Sequence, residues 1–430
     1  MTRHRKIASL IFASALSAML ALLLGFSGLW YSPARGSWPS AMTIQQLSIP
    51  YWKNVSGNET IIYNEIVTPI RYGNSANAVG FLTYTPSEII SVKNYSLTTE
   101  YDSSKYTISG NQISFPYGNG LPYMQESWLD NKDVPSQYQD GLIETTYNDN
   151  GGTNNGKHVI AENALTRTNF LCITYKYNSA EQSLGFTPPT LQTQNFPNLL
   201  KKLNNAEPVK ILVFGDSISF GASASELMGF EPKIPTYFNQ IKNYLATRYY
   251  NGDTSKITLV NPSVGGKSSP WGVQQATMGS FDKTNYDLVI IAFGMNDGSL
   301  GNDASLFKSN VVTILSQIRS QSPNADFIVV GTFTPNPYST FNGVHSTYML
   351  GLQEIANNFN DIDDIYENKS GCTFVNMYDI STGILAKKTA NNTNDKRYQY
   401  IDISANYTNH PNDFMIRLYA GAILSTFIDF

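Results

Sequence analysis

Between Ser48 and Tyr177 the apolar positions come in short runs bounded by turn-forming residues: Thr60–Val67, Val79–Tyr84, Glu88–Val92, Tyr106–Ile108, Ile113–Phe115 and Phe170–Tyr175. Runs of this length and pattern predict strands packed on one face, and together they predict a small all-β sandwich over residues 40–178. From Gly118 to Ala164 periodicity is weak, and Asn148-Asp149-Asn150-Gly151-Gly152 with Asn154-Asn155-Gly156 predicts an extended loop or insertion. Residues 179–208, rich in Pro, Gln, Thr and Asn, read as a linker. At Val209 the pattern changes. Apolar strands at Lys210–Phe214, Ile257–Asn261, Leu288–Phe293, Phe327–Thr332 and Thr373–Met377 now alternate with helical patterns near Tyr237–Tyr250, Ala304–Ser320, Ser346–Phe359 and Asn412–Phe427. Continuously apolar strands separated by amphipathic helices predict a parallel sheet covered on both faces over residues 209–430. Chemistry in such sheets gathers at the carboxyl ends of the strands.

Composition narrows the function classes. At 430 residues the chain has room for two domains, each with its own core. A net charge of −4 leaves no cationic surface for a phosphate backbone, so nucleic acid is excluded as a partner. Charged residues make up only 14% of the chain, and uncharged polar residues take their place, a balance suited to an extracellular surface. Arg3, Arg5 and Lys6 precede an uncharged apolar run, Ile7 to Trp30, which is the layout of an export signal. That run exceeds the ~7–15 apolar residues of a signal peptide and matches the ~20 that span a bilayer. Residues 1–35 are therefore either a cleaved signal peptide, with Ser32-Pro33-Ala34 as a cleavage site, or an N-terminal membrane anchor. Either way the rest of the chain is expected outside, secreted or anchored, with no other membrane contact. Cys172 and Cys372 each lie in or beside an apolar strand and read as two buried free thiols, with a disulfide as the alternative. The Asn/Gly-rich loop lacks the alternating acidic ligands of a calcium site, and the four histidines lack metal-ligand spacing, so no metal and no cofactor is expected.

Four short blocks carry the chemistry. The first strand of the second half runs into Gly215-Asp216-Ser217, presenting a serine at its carboxyl end. The second ends in Pro262-Ser263-Val264-Gly265-Gly266, where paired glycines admit a substrate close to the backbone. The third ends in Gly294-Met295-Asn296-Asp297, aiming an amide at the same place, and Asn409-His410-Pro411-Asn412 supplies an imidazole just ahead of the last helix. Each block alone also reads as a turn, a helix cap or a lone surface histidine. His345 fits a surface or capping role, and Asp216 and Asp297 fit the holding of loops by hydrogen bonds.

In this order the blocks resemble those of SGNH (GDSL-type) hydrolases, over roughly Val209 to Phe430. The resemblance implies a flavodoxin-like α/β fold and a serine esterase. Ser217 would be the nucleophile and His410 the general base, with an oxyanion hole built from the backbone N–H groups of Ser217 and Gly266 and the Asn296 side chain. Gly215, Asp216, Gly294 and Asp297 would support these groups. Thr334-Pro335-Asn336-Pro337 and the preceding β-rich domain are similar to features of bacterial members acting on acylated carbohydrates. One position departs from the pattern. Where most members carry an Asp three residues before the His, this chain has Tyr407. Candidates to orient the imidazole are the Tyr407 backbone carbonyl, Asp402 and Asp413, the last also suited to a helix N-terminus. The leading expectation is hydrolysis of an O-acyl, foremost O-acetyl, ester on a carbohydrate. A cell-surface O-acyltransferase using the same serine and a catalytically impaired carbohydrate-binding protein are the alternatives.

Overall fold

The computed structural model describes residues 42–146, 157–161, 164–359 and 371–430. The apolar N-terminal segment and the Asn/Gly-rich run from Asn148 to Gly156 lie outside the described residues. The β-rich first half contains strands β1 (Glu59–Val67), β2 (Asn77–Phe81), β3 (Glu88–Asn94), β4 (Gln112–Pro116) and β5 (Leu171–Asn178). In one sheet β5 lies between β1 and β3, antiparallel to both. In a second sheet β2 pairs antiparallel with β4. The sheets touch where β2 passes β1: a Cβ at Gly80 would lie 2.6 Å from the Val67 side chain.

The second half is a five-stranded parallel sheet built from β6 (Val209–Gly215), β7 (Ile257–Val260), β8 (Leu288–Ala292), β9 (Asp326–Gly331) and β10 (Cys372–Asn376), in the order β7-β6-β8-β9-β10. This is the doubly covered flavodoxin-like arrangement. Alternation along β6 divides the core. Leu212 and Phe214 face the helices Ser269–Met278, Ala304–Arg319 and Tyr348–Asn357. Ile211 and Val213 face the opposite layer, which holds the helices Tyr237–Tyr249, Met377–Ala390 and Asp413–Leu424. Both faces are buried, so from Ile211 to Phe214 the strand is apolar at every position rather than at alternate ones.

Chain length suggested two separate cores, but the halves share one. The cluster around Ile211 and Val213 continues through the last helix into Ile62, Ile66, Val67, Tyr175 and Tyr177 of the β-rich half. Arg417, on that helix, donates to the carbonyls of Gln46, Tyr63 and Asn64 at 2.9, 2.7 and 2.9 Å. A buried ionic group adds a second tie. Lys388 Nζ contacts Glu65 from β1 and lies 3.3 Å from Asp402 Oδ2, all three side chains being fully buried. The presumed linker also belongs to this body. Pro197–Asn204 is a helix whose first turn is held by Asp326, which accepts the N–H groups of Asn198 and Leu199 at 3.0 and 2.8 Å. Its Leu199 and Leu203 are buried. Composition reads these eight residues as linker, yet they form a helix whose first turn a distant carboxylate holds. Cys172 and Cys372 are both buried and free.

Candidate active site

Strand β6 ends at Gly215, where a Cβ would lie 2.3 Å from the Ala292 carbonyl of β8, so only glycine lets the strands meet so closely there. The chain then turns into a one-turn helix, Ser217–Phe220. Asp216 caps it, with Oδ1 accepting the Ile218 N–H at 3.0 Å. Burial pushes the Asp216 carboxyl up to about 7, although hydrogen bonding from Ile218 and the nearby His410 both oppose the rise. Ser217 thus occupies the first helical position, where its N–H has no acceptor within the helix and points where negative charge is favoured.

The other blocks converge on this turn. Ser263 Oγ accepts the Gly215 N–H at 2.9 Å, and Asn261 Nδ2 donates to the Ser219 carbonyl at 2.7 Å, which ties the second block to the first. Gly266 has φ +72°, a left-handed conformation that exposes its peptide at little steric cost. Asn296 Nδ2 donates to the Lys267 carbonyl at 2.9 Å, joining the third block to the second and leaving its other amide hydrogen for a ligand. Gly294, at φ +132°, precedes the helix Met295–Leu300 that carries Asn296. Asp297 accepts the Ser269 N–H at 2.9 Å, the Ser269 hydroxyl at 2.6 Å and Asn302 Nδ2 at 3.0 Å. It holds the loops together rather than facing the serine.

The imidazole arrives on a tightly knotted loop. Asn406 Oδ1 accepts the N–H groups of Thr408, Asn409 and His410, each at 3.0 Å. Asn336, of the Thr-Pro-Asn-Pro stretch, braces the same loop by donating from its backbone to the Thr408 carbonyl at 2.8 Å. His410 Nε2 lies 3.0 Å from Ser217 Oγ. The residues 193 positions apart therefore form a nucleophile and base pair in direct contact. On the far side of the ring, Nδ1 lies 3.1 Å from Ser223 Oγ.

Among the described residues, the three candidates to orient the imidazole make hydrogen bonds elsewhere. The Tyr407 carbonyl accepts Asn336 Nδ2 at 2.9 Å instead. Asp402 is committed to the buried ionic group, where it accepts from the Thr68 N–H at 2.6 Å and Gln399 Nε2 at 2.7 Å. Asp413 sits in the first turn of the last helix, accepts the Ser225 N–H at 3.0 Å and receives the Tyr95 hydroxyl. Sequence spacing drew attention to residues near His410 in the chain, whereas Ser223, 187 positions away, also reaches the ring. Nothing in Gly221-Ala222-Ser223-Ala224 marks it. His345 is not a surface or capping residue. It is fully buried beneath the Asn296 helix, with Nε2 donating to the Met295 carbonyl at 2.8 Å and Nδ1 accepting the Gly343 N–H at 3.3 Å.

Residues 213–415 match the GDSL-like lipase/acylhydrolase family. Among solved structures, the chain is similar to a two-domain esterase active on acetylated mannans, with 19% identity over 55% of this chain and 53% of that one at a TM-score of 0.37. The similarity thus spans about half the length of that protein. It is also similar to a possible lipase from Chitinophaga pinensis, with 12% identity over 50% of this chain and 96% of that one at a TM-score of 0.36. A catalytic mutant of an acetylxylan esterase from Geobacillus stearothermophilus shares 15% identity over 51% of this chain and 93% of that one, at a TM-score of 0.35. No curated protein matches the sequence.

Proposed function

With residues 213–415 matching the GDSL-like lipase/acylhydrolase family, we propose that the protein is a serine esterase that removes a short acyl group, acetyl foremost, from a carbohydrate outside the cell. The observation that carries the mechanism is the 3.0 Å contact between Ser217 Oγ and His410 Nε2. Ser217 Oγ attacks the ester carbonyl as its proton passes to Nε2. The oxyanion is met by the N–H groups of Ser217 and Gly266 and by the second amide hydrogen of Asn296. Collapse breaks the bond to the sugar oxygen, which takes the proton from His410, and water then frees the acyl group by the same steps in reverse.

Two features support the substrate class. Ser217 and His410 are only 4% and 7% exposed, so a slim acyl group reaches them more readily than a long chain. Phe220, on the same one-turn helix as Ser217, is 44% exposed and offers a flat apolar surface against which a sugar ring can stack. The basic and apolar N-terminal sequence supports export.

The test is labelling with a serine-directed fluorophosphonate, peptide mapping, and measurement of acetate release from acetylated oligosaccharides. Modification at Ser217 and release abolished in Ser217→Ala are expected. Wild-type release no faster than that of Ser217→Ala would leave a binding role, and label on another serine would overturn the site.

A further inference from the structure

Between β9 and the helix Tyr348–Asn357 the chain passes beneath the short helix that carries Asn296, and it meets that helix at three points. The Ser299 hydroxyl donates to the Phe341 carbonyl at 2.7 Å, the Val344 N–H donates to the Gly298 carbonyl at 3.2 Å, and His345 Nε2 donates to the Met295 carbonyl at 2.8 Å. Gly298 has no side chain to keep the imidazole off, since a Cβ there would lie 2.3 Å from the ring. Just beyond, Tyr348 stacks on Phe307 with ring centroids 4.1 Å apart and donates to the Asn302 carbonyl at 2.6 Å, which anchors the segment. The partners of the His345 ring fix its protonation. A carbonyl can only accept and a backbone N–H can only donate, so Nε2 carries the proton and Nδ1, accepting from Gly343 at 3.3 Å, carries none. The ring is fully buried, and burial lowers its pKa to about 4, in keeping with that neutral form.

Met295 directly precedes Asn296, and the planar peptide ties its carbonyl to the Asn296 nitrogen. A bond to that carbonyl therefore fixes the plane from which the Asn296 side chain projects. At the tip of that side chain, Nδ2 donates to the Lys267 carbonyl at 2.9 Å. We propose that His345 is a positioning residue of the oxyanion hole: by holding the Met295 carbonyl it sets the root of the Asn296 side chain, so that the second amide hydrogen faces the oxyanion. This deepens the esterase reading and rests on it. Being fully buried, the ring acts through the helix and not on a substrate. A catalytic group displaced by about 1 Å can cost about 100-fold in rate. The same helix carries Asp297, which holds Ser269, so a route through Asp297 is the competing outcome of the test.

The full chain tests this with His345→Phe, His345→Gln, Asn296→Ala and the double variant of His345→Phe with Asn296→Ala, their rates expressed per Ser217 titrated by fluorophosphonate. His345→Phe is expected to lose about 10- to 100-fold in kcat on an activated acetyl ester with KM within about threefold. His345→Gln, whose amide can donate to Met295 and accept from Gly343, should recover most of that loss. In the Asn296→Ala background His345→Phe should cost no more than about twofold further, because the donor it positions is already gone. Nitrogen-resolved NMR gives readouts independent of turnover: a neutral, Nε2-protonated His345 ring in the wild type, and Asn296 side-chain amide resonances that shift or broaden in His345→Phe. His345→Met replaces His345→Phe if that variant fails to fold, and an Nδ1-protonated ring in the wild type overturns the proposal without any variant. An unchanged normalised kcat in His345→Phe, no recovery in His345→Gln, or unaltered Asn296 amide resonances would overturn it too. So would a loss that persists undiminished in the Asn296→Ala background, the result a route through Asp297 would give. A wild type without Ser217-dependent turnover, but with the Asn296 amide perturbed in His345→Phe, would instead refute the esterase reading alone.

Discussion

Replacing Asn296 by Ala tests the oxyanion hole most directly, and its effect can be worked from the contacts. One amide hydrogen of Asn296 is spent on the Lys267 carbonyl at 2.9 Å, which fixes the direction of the other. Removing the side chain deletes that second donor from the developing oxyanion, a loss of about 100- to 1,000-fold in kcat, or about 2.7–4 kcal/mol. The donor strengthens its bond only as charge develops, so KM should change little. Stability should suffer less. The Lys267 carbonyl is partly exposed and can find water, so the lost hydrogen bond should cost about 1 kcal/mol and lower Tm by a few degrees. The assay is initial rates on an activated acetyl ester, normalised to the Ser217 sites that react with fluorophosphonate, beside a thermal melt. Asn296→Asp forms the second arm: a carboxylate there would face the Lys267 carbonyl and the oxyanion with no proton to offer, and its rate should be lower still. A normalised kcat within about threefold of wild type in Asn296→Ala, or a raised KM with kcat intact, would remove Asn296 from the mechanism.

Lys388→Met should destabilise the whole chain by about 3–5 kcal/mol in urea, because it strands the buried Glu65 and Asp402 carboxylates without their cation; separate unfolding of the two halves in the wild type would contradict the shared core. Gly298→Ala places a Cβ 2.3 Å from the His345 ring, which is pinned by its bond to Met295. It should cost about 1–3 kcal/mol and also depress kcat by shifting the Asn296 helix, whereas wild-type values for both would show that the ring gives way freely. Asp216 is raised from its ordinary 3.8 to about 7 by burial, so its stabilising protonation is complete below about pH 4 and is lost as pH rises through 7. Asp216→Asn should therefore gain on wild type by about 2–4 kcal/mol between pH 4 and 8 in denaturant midpoints, and a pH-independent difference would refute the raised value. Phe220→Ala should raise KM for an acetylated oligosaccharide several-fold while leaving an activated acetyl ester unaffected; equal effects on both would deny it a role in holding sugar.

The parallel sheet and its strand-end blocks were readable without coordinates because they depend on local pattern. Continuous apolar runs such as Leu288–Ala292 imply burial on both faces, and a fold of that kind dictates which strand ends face one another. The four blocks in order, and their resemblance to those of SGNH hydrolases, nominated Ser217, Gly266, Asn296 and His410. What surrounds them depended on contacts between residues far apart in the chain. Ser223 at His410, Arg167 at Ser223 and Lys388 between Glu65 and Asp402 leave no periodic or motif signature, since a buried polar side chain needs a partner in space and not at a spacing. The helix Pro197–Asn204 escaped notice for the same reason, its first turn being held by Asp326 from β9. Hydrophobic pattern, being a property of consecutive residues, could therefore specify the elements and the strand ends that bear the chemistry. Which side chains reach the imidazole, and the merging of the two halves into one core, were decided only when the folded chain brought remote buried groups within hydrogen-bonding distance.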